Sequence, residues 1–340
     1  MTADVPVLVR VEGRLGRITL HRPAAINALT AEMVGMIAAA LASWRDDDAV
    51  EAVLLDGAGE RGFCAGGDVV ALARSGAAAE ADAFWRAEYR LNATIGRYPK
   101  PVVVLMDGLV LGGGVGLACH ASHRVVTERS KVGLPETGIG FLPDVGATWL
   151  LARAPGELGT FAALTGRFLS GPEAIELGLA DVHVESGDLE PLAIALRDSS
   201  PDEVLGGFAT PVPPSGLLDA REWIDGSLAG DDLDAMLARL DAGDDEAREA
   251  AAGIRSKSPT ASAVTIAALR SAAAAPSLED ALVTELRAAV RLAEFPDFAE
   301  GVRAQLVDKD RTPHWAPAAA DIHSFLAPLA RDLTFEGKAS

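Results

Sequence analysis

Two glycine-rich segments and two acids beyond them have residue types and spacing suited to acyl chemistry. The first segment is Phe-Cys-Ala-Gly-Gly-Asp at 63–68, and the second is Leu-Gly-Gly-Gly-Val-Gly-Leu at 111–117. A glycine turn lets the backbone approach a ligand closely, so each turn can present an N–H group to one carbonyl oxygen. Glu136 and Asp144 follow in an apolar, glycine-rich stretch. Acids placed there can act on the carbon of the polarised carbonyl.

The surroundings of Glu136 favour an acid or base that works near neutral pH. No basic residue occurs between Lys131 and Arg153, and an apolar setting raises the pKa of a carboxyl group. Asp144 has two interpretations: it acts beside Glu136, or it caps a helix predicted to begin at residue 145. For Asp68, the cap of a helix beginning at residue 69 is the simpler interpretation.

Other chemistries fit the sequence less well. The second glycine segment follows a predicted strand, as a dinucleotide-binding turn does, but its last glycine comes too soon and no acid closes a second strand. Neither a Gly-Lys-Ser/Thr phosphate loop nor a Gly-x-Ser-x-Gly nucleophile elbow is present. His120 and His123 lack neighbouring metal ligands. Cys64 and Cys119 lack a histidine partner pattern, so we expect small buried side chains, no metal site and no nucleophilic cysteine.

The charge balance narrows the possible partners. The 340-residue chain has 49 acidic and 30 basic residues and a net charge of −19, so it would repel nucleic-acid phosphates. Its apolar runs are too short or too interrupted to cross a membrane. The first residues have neither the basic nor the apolar part of a secretion signal, and two cysteines do not make a disulfide framework. The sequence therefore predicts a cytoplasmic protein without a nucleic-acid or membrane partner.

Hydrophobic periodicity predicts an α/β protein. Strand and helix patterns alternate through about the first 185 residues, which is typical of a layered α/β fold. Predicted elements there include strands at 50–55, 102–106 and 123–127 and helices at 30–44 and 78–98. Proline-rich and serine-rich stretches follow near residue 200, and the chain beyond them has helical periodicity. We therefore predict a core at 1–200 and a helical C-terminal region at 201–340.

At these positions the sequence resembles the crotonase superfamily of enoyl-CoA hydratases and isomerases. Within it, the sequence is most similar to the branch of 3-hydroxyisobutyryl-CoA hydrolases, and nearly the whole chain is covered. The matching segments are His-Arg-Pro and Asn-Ala-Leu within 21–29, Cys-Ala-Gly-Gly-Asp at 64–68, Glu-Tyr-x-Leu-Asn at 88–92, 100–117, Pro-Glu-Thr at 135–137 with 141–146, Ser-Pro-Thr at 258–260, and 297–310 with Trp315.

The resemblance implies a spiral core of repeated ββα units followed by C-terminal helices. It also implies an acyl-CoA substrate, with coenzyme A as part of the substrate and no other cofactor. The N–H groups of Ala65 and Gly113 would form the oxyanion hole, and Glu136 and Asp144 would be the acting acids. The implied substrate-binding residues are Gly66, Gly67, Asp68 and Glu88. A homo-oligomer, trimer or hexamer, is expected, and the long C-terminal region leaves a monomer as the alternative.

One departure from the superfamily pattern concerns Gly116. Hydratases have a glutamate two residues after the position of Gly114, and hydration needs proton-handling groups on adjacent carbons. Thioester hydrolysis needs less, because a thiol with a pKa of about 8.5 leaves readily from a polarised carbonyl. The resemblance therefore implies hydrolysis of a short 3-hydroxyacyl-CoA. An enoyl-CoA or dienoyl-CoA isomerase or hydratase is the alternative enzyme. A binding-only member is a third possibility, and the net charge opposes an RNA-binding one.

Overall fold

The computed structural model describes residues 5–70 and 78–335 of the chain. Two compact units are formed, each from three separate segments. The strand unit comprises Met1–Asp68, Ala87–Gly133 and Leu169–Ser215, and the helical unit comprises Val69–Arg86, Leu134–Phe168 and Gly216–Ser340. Each unit thus takes residues from both sides of position 200. The division at 200 stays a prediction.

The strands form two sheets, and parallel pairing predominates. The strands of the described residues are β1 (Val7–Glu12), β2 (Leu15–Leu20), β3 (Ala52–Gly57), β4 (Val102–Met106), β5 (Leu109–Leu111), β6 (His123–Val126), β7 (Lys131–Gly133), β8 (Phe168–Ser170) and β9 (Val182–His183). The larger sheet has the order β1-β2-β3-β4-β6-β9 and is parallel except between β1 and β2. The smaller sheet has the order β5-β7-β8.

Fourteen α-helices have bounds within the described residues. They are α1 (Ala31–Trp44), α2 (Ala78–Gly96), α3 (Gly113–Ala118), α4 (Ala147–Leu151), α5 (Leu158–Thr165), α6 (Gly171–Glu176), α7 (Leu189–Ala195), α8 (Pro201–Phe208), α9 (Arg221–Leu228), α10 (Leu233–Asp241), α11 (Asp245–Arg255), α12 (Pro259–Ala274), α13 (Leu278–Glu294) and α14 (Pro296–Val302). Short 3-10 helices lie at Pro23–Ala25, Glu136–Ile139, Ser186–Asp188 and His323–Leu326, and a π-helical turn lies at Arg303–Val307. No helix of residues 5–70 or 78–335 is long and apolar enough to cross a membrane.

The core of the strand unit follows from uninterrupted apolar strands. Strand β4 is buried along its whole length, as expected for a parallel strand covered on both faces. Leu54 pairs with Val103 across β3 and β4, and both belong to a buried cluster that includes Leu192 of α7 and Leu205 of α8. This buried sheet forms the core of the strand unit, and the second glycine segment follows β5 of the smaller sheet.

Local capping signals fix where several helices begin. Thr30 accepts a hydrogen bond from the Met33 N–H at 3.3 Å, which confirms the predicted start of α1. Ser258 caps α12 in the same way and is followed by Pro259 at the first helical position. The helical periodicity predicted beyond about residue 200 is confirmed by α10, α12 and α13.

Candidate active site

The two glycine-rich segments run side by side in the strand unit. The backbone N–H of Cys64 donates to the Leu109 carbonyl at 3.1 Å, and the Cys64 carbonyl accepts from the Leu111 N–H at 2.9 Å. These bonds attach the first segment to β5, which leads directly into the second segment. The sheet thereby brings together the two turns that the sequence predicts to work on one carbonyl oxygen.

Gly113 is placed at the start of a helix. It is the first residue of α3 and follows Gly112, whose φ of 48° lies in the left-handed region. The N–H groups of a first helical turn have no acceptor inside their own helix. The N–H of Gly113 is therefore suited to donate a hydrogen bond to an oxygen from outside the helix.

Ala65 differs from the predicted oxyanion-hole geometry. Its N–H donates to the Ile26 carbonyl at 2.9 Å, and a group already bonded within the protein is not available to a substrate oxygen. Gly67 lies closer to the expected place: its nitrogen is 3.3 Å from the point that a Cβ on Gly113 would occupy. None of the backbone hydrogen bonds between loops and turns in the described residues uses the Gly67 N–H. The geometry therefore favours Gly67 over Ala65 as the partner of Gly113.

Glu88 of α2 brings a carboxyl group to the same turns. Its side chain is 2% exposed, and its Oε1 lies 2.5 Å from the point that a Cβ on Gly113 would occupy. A side chain on Gly113 would therefore displace this carboxyl. The structure places Glu88, which the resemblance assigns to substrate binding, beside the predicted oxyanion hole.

Gly66 and Asp68 shape the first turn. Gly66 has a φ of 96°, and its carbonyl accepts from the Leu29 N–H at 2.8 Å. The Asp68 N–H donates to the Leu29 carbonyl at 2.9 Å, and the Asp68 carboxylate accepts from the Arg22 guanidinium at 3.3 Å. The predicted contacts of Gly66 and Asp68 with substrate stay predictions.

The surroundings of Cys64, Cys119 and His123 indicate structural rather than catalytic roles. Burial raises the pKa of the Cys64 and Cys119 thiols to about 12, so both stay protonated near neutral pH. That agrees with the prediction of small buried side chains. His123 bonds to Ser122 Oγ at 2.9 Å and to Asp202 at 3.1 Å. Across 5–70 and 78–335, no group of three or more His, Cys, Asp or Glu side chains could hold a metal ion.

Glu136 and Asp144 lie in the helical unit, on a segment that we name the acid loop (residues 134–146). Glu136 begins the 3-10 helix, and its carbonyl accepts from the Phe141 N–H at 3.0 Å. Gly140 ends this helix with a φ of 71°. Both acids are buried, Glu136 at 8% exposure and Asp144 at 6%. The loop therefore holds two buried carboxyl groups in a single compact unit.

The C-terminal helices fix the first half of the acid loop. The Ser258 N–H donates to the Thr137 carbonyl at 3.2 Å. The Ser258 hydroxyl donates to the Asp297 carboxylate at 2.5 Å, and that carboxylate also accepts from the Ala316 N–H at 2.7 Å. The buried Asp297 thus links the cap of α12, the start of α14 and the C-terminal segment beneath the acid loop.

Close backbone packing continues this support. A Cβ on Gly140 would collide with the backbone at the start of α14, and a Cβ on Gly301 would collide with the backbone of Ile139. The Phe141 ring lies 5.3 Å from the Phe298 ring, centroid to centroid. The acid loop therefore depends on residues far along the chain for its shape.

The helix after Asp144 does not use this aspartate as its N-cap. Helix α4 begins at Ala147, and its N-cap is Gly146, so the interpretation of Asp144 as a helix cap is wrong. Val145 and Gly146 both have left-handed backbone conformations, with φ of 58° and 82°. The chain therefore turns sharply between Asp144 and the helix.

Glu285 of α13 is a residue of this site that the motifs did not reveal. Its side chain is fully buried, and its carboxyl oxygens accept from the N–H groups of Gly146 and Thr148 at 2.6 and 2.9 Å. A signal was present, because Glu285 stands among the apolar residues Leu282, Leu286 and Ala289 of an amphipathic helix. A charged residue at a core position needs a partner.

Comparison with known proteins shows the family and the fold of this chain. A family model described as enoyl-CoA hydratase/isomerase matches residues 15–324. The chain belongs to the enoyl-CoA hydratase/isomerase family.

Two solved members have the same fold over almost the whole chain. A carnitinyl-CoA dehydratase from Mycobacterium thermoresistibile is 48% identical with a TM-score of 0.95, covering 98% of this chain and all of its own. An enoyl-CoA hydratase from Rhodobacter sphaeroides is 43% identical with a TM-score of 0.91, covering 97% of this chain and all of its own. The predicted crotonase-type α/β fold is confirmed.

Curated members of the family carry a hydrolase name. The 3-hydroxyisobutyryl-CoA hydrolase of Danio rerio, named as mitochondrial, is 38% identical over 93% of this chain and 86% of its own length. The human protein of the same name is 36% identical over 92% of this chain and 84% of its own length. The predicted similarity to this hydrolase branch is confirmed. The two solved structures, in contrast, are named as a dehydratase and a hydratase.

Proposed function

We propose that this protein hydrolyses 3-hydroxyisobutyryl-CoA, a thioester of valine degradation, to the free acid and coenzyme A. The curated hydrolases that support this are 35–38% identical to the chain over more than nine tenths of its length. Another short 3-hydroxyacyl-CoA, 3-hydroxypropionyl-CoA, fits the same chemistry.

The observation that carries the choice between hydrolysis and hydration is Gly116. It lies inside α3, whose residues Gly-Gly-Val-Gly-Leu-Ala are all buried and contain no acid. A hydratase of the superfamily has a glutamate at this position, and without it one of two proton-handling groups is missing. Hydrolysis of a thioester does not need that second group, because the thiolate leaves readily.

In the proposed reaction, the strand unit activates the thioester carbonyl group. The N–H groups of Gly113 and Gly67 donate to the thioester oxygen and stabilise the negative charge that develops there. Removing one such donor from an enzyme costs about 10²–10³ in kcat. Ala65 takes no direct part in this scheme, since its N–H is bonded to Ile26.

Glu136 and Asp144 are proposed to carry out the attack on the carbonyl carbon and the proton transfers. Glu136 either takes the proton of an attacking water or attacks the carbonyl carbon itself, and Asp144 handles a proton or positions the water. In the covalent route the new C–O bond to Glu136 replaces the C–S bond, coenzyme A leaves as the thiolate, and water then hydrolyses the anhydride and supplies the thiolate with a proton. In the route in which water attacks directly, the C–O bond forms while the Glu136 carboxylate takes a proton from the water. The C–S bond then breaks. The departing thiolate takes up that proton, so that water is the only reagent consumed.

Glu88 is proposed to select the 3-hydroxyl group of the substrate. A buried carboxyl beside the oxyanion hole can accept a hydrogen bond from a hydroxyl two carbons from the thioester carbonyl. A substrate without this hydroxyl would not form that hydrogen bond. That is an effective basis for discrimination.

Two reactions measured on one preparation test the function. Thiol release from 3-hydroxyisobutyryl-CoA reports hydrolysis, and the absorbance of crotonyl-CoA reports hydration. We expect hydrolysis to exceed hydration by about 10²-fold or more in kcat/KM, as the loss of one proton-handling group implies. A hydration rate equal to the hydrolysis rate would instead support the dehydratase and hydratase names of the solved relatives.

Three further features belong to this proposal. We propose that coenzyme A enters only as part of the substrate and that no other cofactor is used. A homo-oligomer, trimer or hexamer, is proposed from the family resemblance, with a monomer as the alternative that sedimentation would detect. A cytoplasmic location is proposed from the sequence, whereas the curated relatives are named mitochondrial.

A further inference from the structure

Glu285 connects the middle of a C-terminal helix to the residues that directly follow Asp144. Its Oε2 accepts from the Gly146 N–H at 2.6 Å. Its Oε1 accepts from the Thr148 N–H at 2.9 Å and from the Thr148 hydroxyl at 2.5 Å. One buried side chain therefore bonds three donors within three consecutive residues, and it does so from 137 or more positions away in the chain.

The bonded segment has a conformation that needs outside support. Val145 has a φ of 58°, which is unfavourable for a β-branched side chain and persists only where the surroundings impose it. Gly146 follows with a φ of 82°. The Asp144 carbonyl accepts from the Ala147 N–H at 2.8 Å, so the turn closes on Asp144 itself. Glu285 bonds the residues on both sides of Ala147 and so holds this turn.

Electrostatics link the same two acids. Burial, and to a smaller extent the charge of Asp144, raise the pKa of Glu285, whereas the hydrogen bonds from Thr148 and Gly146 lower it, and the net pKa is about 8. The charge of Asp144 is therefore one of the influences on the Glu285 carboxyl group. Glu285 is fully buried among apolar side chains of α13. Its carboxyl group therefore bonds the residues after Asp144 rather than water.

We infer that Glu285 is a positioning residue that holds Asp144 in its working place for thioester hydrolysis. Thr148 is the second member of this device, because its N–H and its hydroxyl both bond the same carboxyl oxygen. The inference rests on the proposed function, in which Asp144 acts on the thioester. Glu285 itself does not touch the substrate in this scheme.

Glu285→Gln is the variant that tests the inference. The amide keeps the volume of the side chain but has one acceptor oxygen, so the N–H of either Gly146 or Thr148 faces an NH2 group. A small displacement of a catalytic group costs about 10²-fold per Å, so we expect kcat for 3-hydroxyisobutyryl-CoA to fall about tenfold. KM should change little, because substrate binding is assigned to other residues. Glu294→Gln, on the exposed C-terminal turn of the same helix, is the matched control and should leave kcat unchanged.

The double variant with Asp144→Asn separates positioning from a general loss of structure. If Glu285 acts through Asp144, Glu285→Gln should lower kcat less than about twofold in the Asp144→Asn background, because residues that act as a unit are non-additive. A purely structural role would lower activity by the same factor in both backgrounds, and that result would overturn the inference.

Thr148 gives a second route to the same answer. Thr148→Val has the same shape but lacks the hydroxyl, and Thr148→Ser retains it. We expect Thr148→Val to lower kcat and Thr148→Ser to restore most of it, with melting temperatures close to that of the wild type. Equal activity of Glu285→Gln and wild type overturns only the positioning role. Absence of thiol release by the wild-type protein overturns the proposed function as well, so the two failures are distinguishable.

Discussion

The carboxyl group of Glu88 lies where a side chain on Gly113 would begin. The distance from Glu88 Oε1 to the ideal Cβ position of Gly113 is 2.5 Å, and the nitrogen of Gly67 lies 3.3 Å from the same point. Because Gly113 has no side chain, both the Glu88 carboxyl group and the Gly67 N–H can lie close to it. This relationship makes the second glycine segment a tightly constrained part of the strand unit.

Gly113→Ala should lower kcat/KM for thioester hydrolysis by about 10²-fold, because its methyl group displaces Glu88 and crowds the oxyanion-hole N–H groups. The measurement is thiol release at several substrate concentrations. Gly35→Ala in α1 is the matched control, since a Cβ there meets nothing within 4 Å. It should retain full activity and stabilise the protein by about 1 kcal/mol. Wild-type kinetics of a folded Gly113→Ala protein would exclude the proposed role of this turn.

Glu136→Gln should lower kcat by about 10²-fold or more, because an amide is neither a base nor a nucleophile. Asp144→Asn should also lower kcat while leaving the melting temperature nearly unchanged, since the N-cap of α4 is Gly146 rather than Asp144. Steady-state kinetics and thermal melts of both variants check this. A near-wild-type rate for Asp144→Asn would leave Glu136 as the only acting acid.

Glu88→Ala should reduce the selectivity for 3-hydroxyacyl substrates. The wild-type protein should prefer 3-hydroxyisobutyryl-CoA over isobutyryl-CoA, because only the first can donate a hydroxyl hydrogen bond to the buried carboxyl. Removal of the carboxyl should lower kcat/KM for the hydroxylated substrate by more than tenfold, as expected for a lost buried hydrogen bond. The ratio of kcat/KM for the two thioesters is the measurement. If the ratio is the same in wild type and variant, another group reads the hydroxyl.

Stability should fall as pH rises, with Glu285 as one cause. Burial, with a contribution from Asp144, raises the pKa of Glu285 from 4.5 to about 8 in the folded protein. The folded state therefore binds the proton more tightly than the unfolded state does. This stabilisation is complete below pH 4.5 and is lost as pH rises to about 8. Melting temperatures should decline less over this range in Glu285→Gln than in wild type. Parallel pH curves for the two proteins would contradict the assignment.

Much of the fold could be predicted because its signals are local. Thr30 begins α1 through a side-chain cap, and the apolar run of β4 indicates a strand covered on both faces. The glycine segments identify themselves as turns, since glycine tolerates left-handed backbone and close approach. Glu136 and Asp144 are conspicuous as acids in an apolar stretch. Each of these predictions depends on residues within about one turn or strand of one another.

Relationships between distant segments could not be predicted in this way. The N–H of Ala65 is bonded to Ile26, and no pattern within the first glycine segment reveals that bond. Glu285 lies 137 residues from Thr148 in the chain, so its selection from the many glutamates on helices requires the packing of α13 against α4. The residue types and their spacing indicate which groups could do the chemistry. The packing of distant segments decided which N–H groups are available and what holds Asp144, because hydrogen bonds are satisfied in space rather than along the chain.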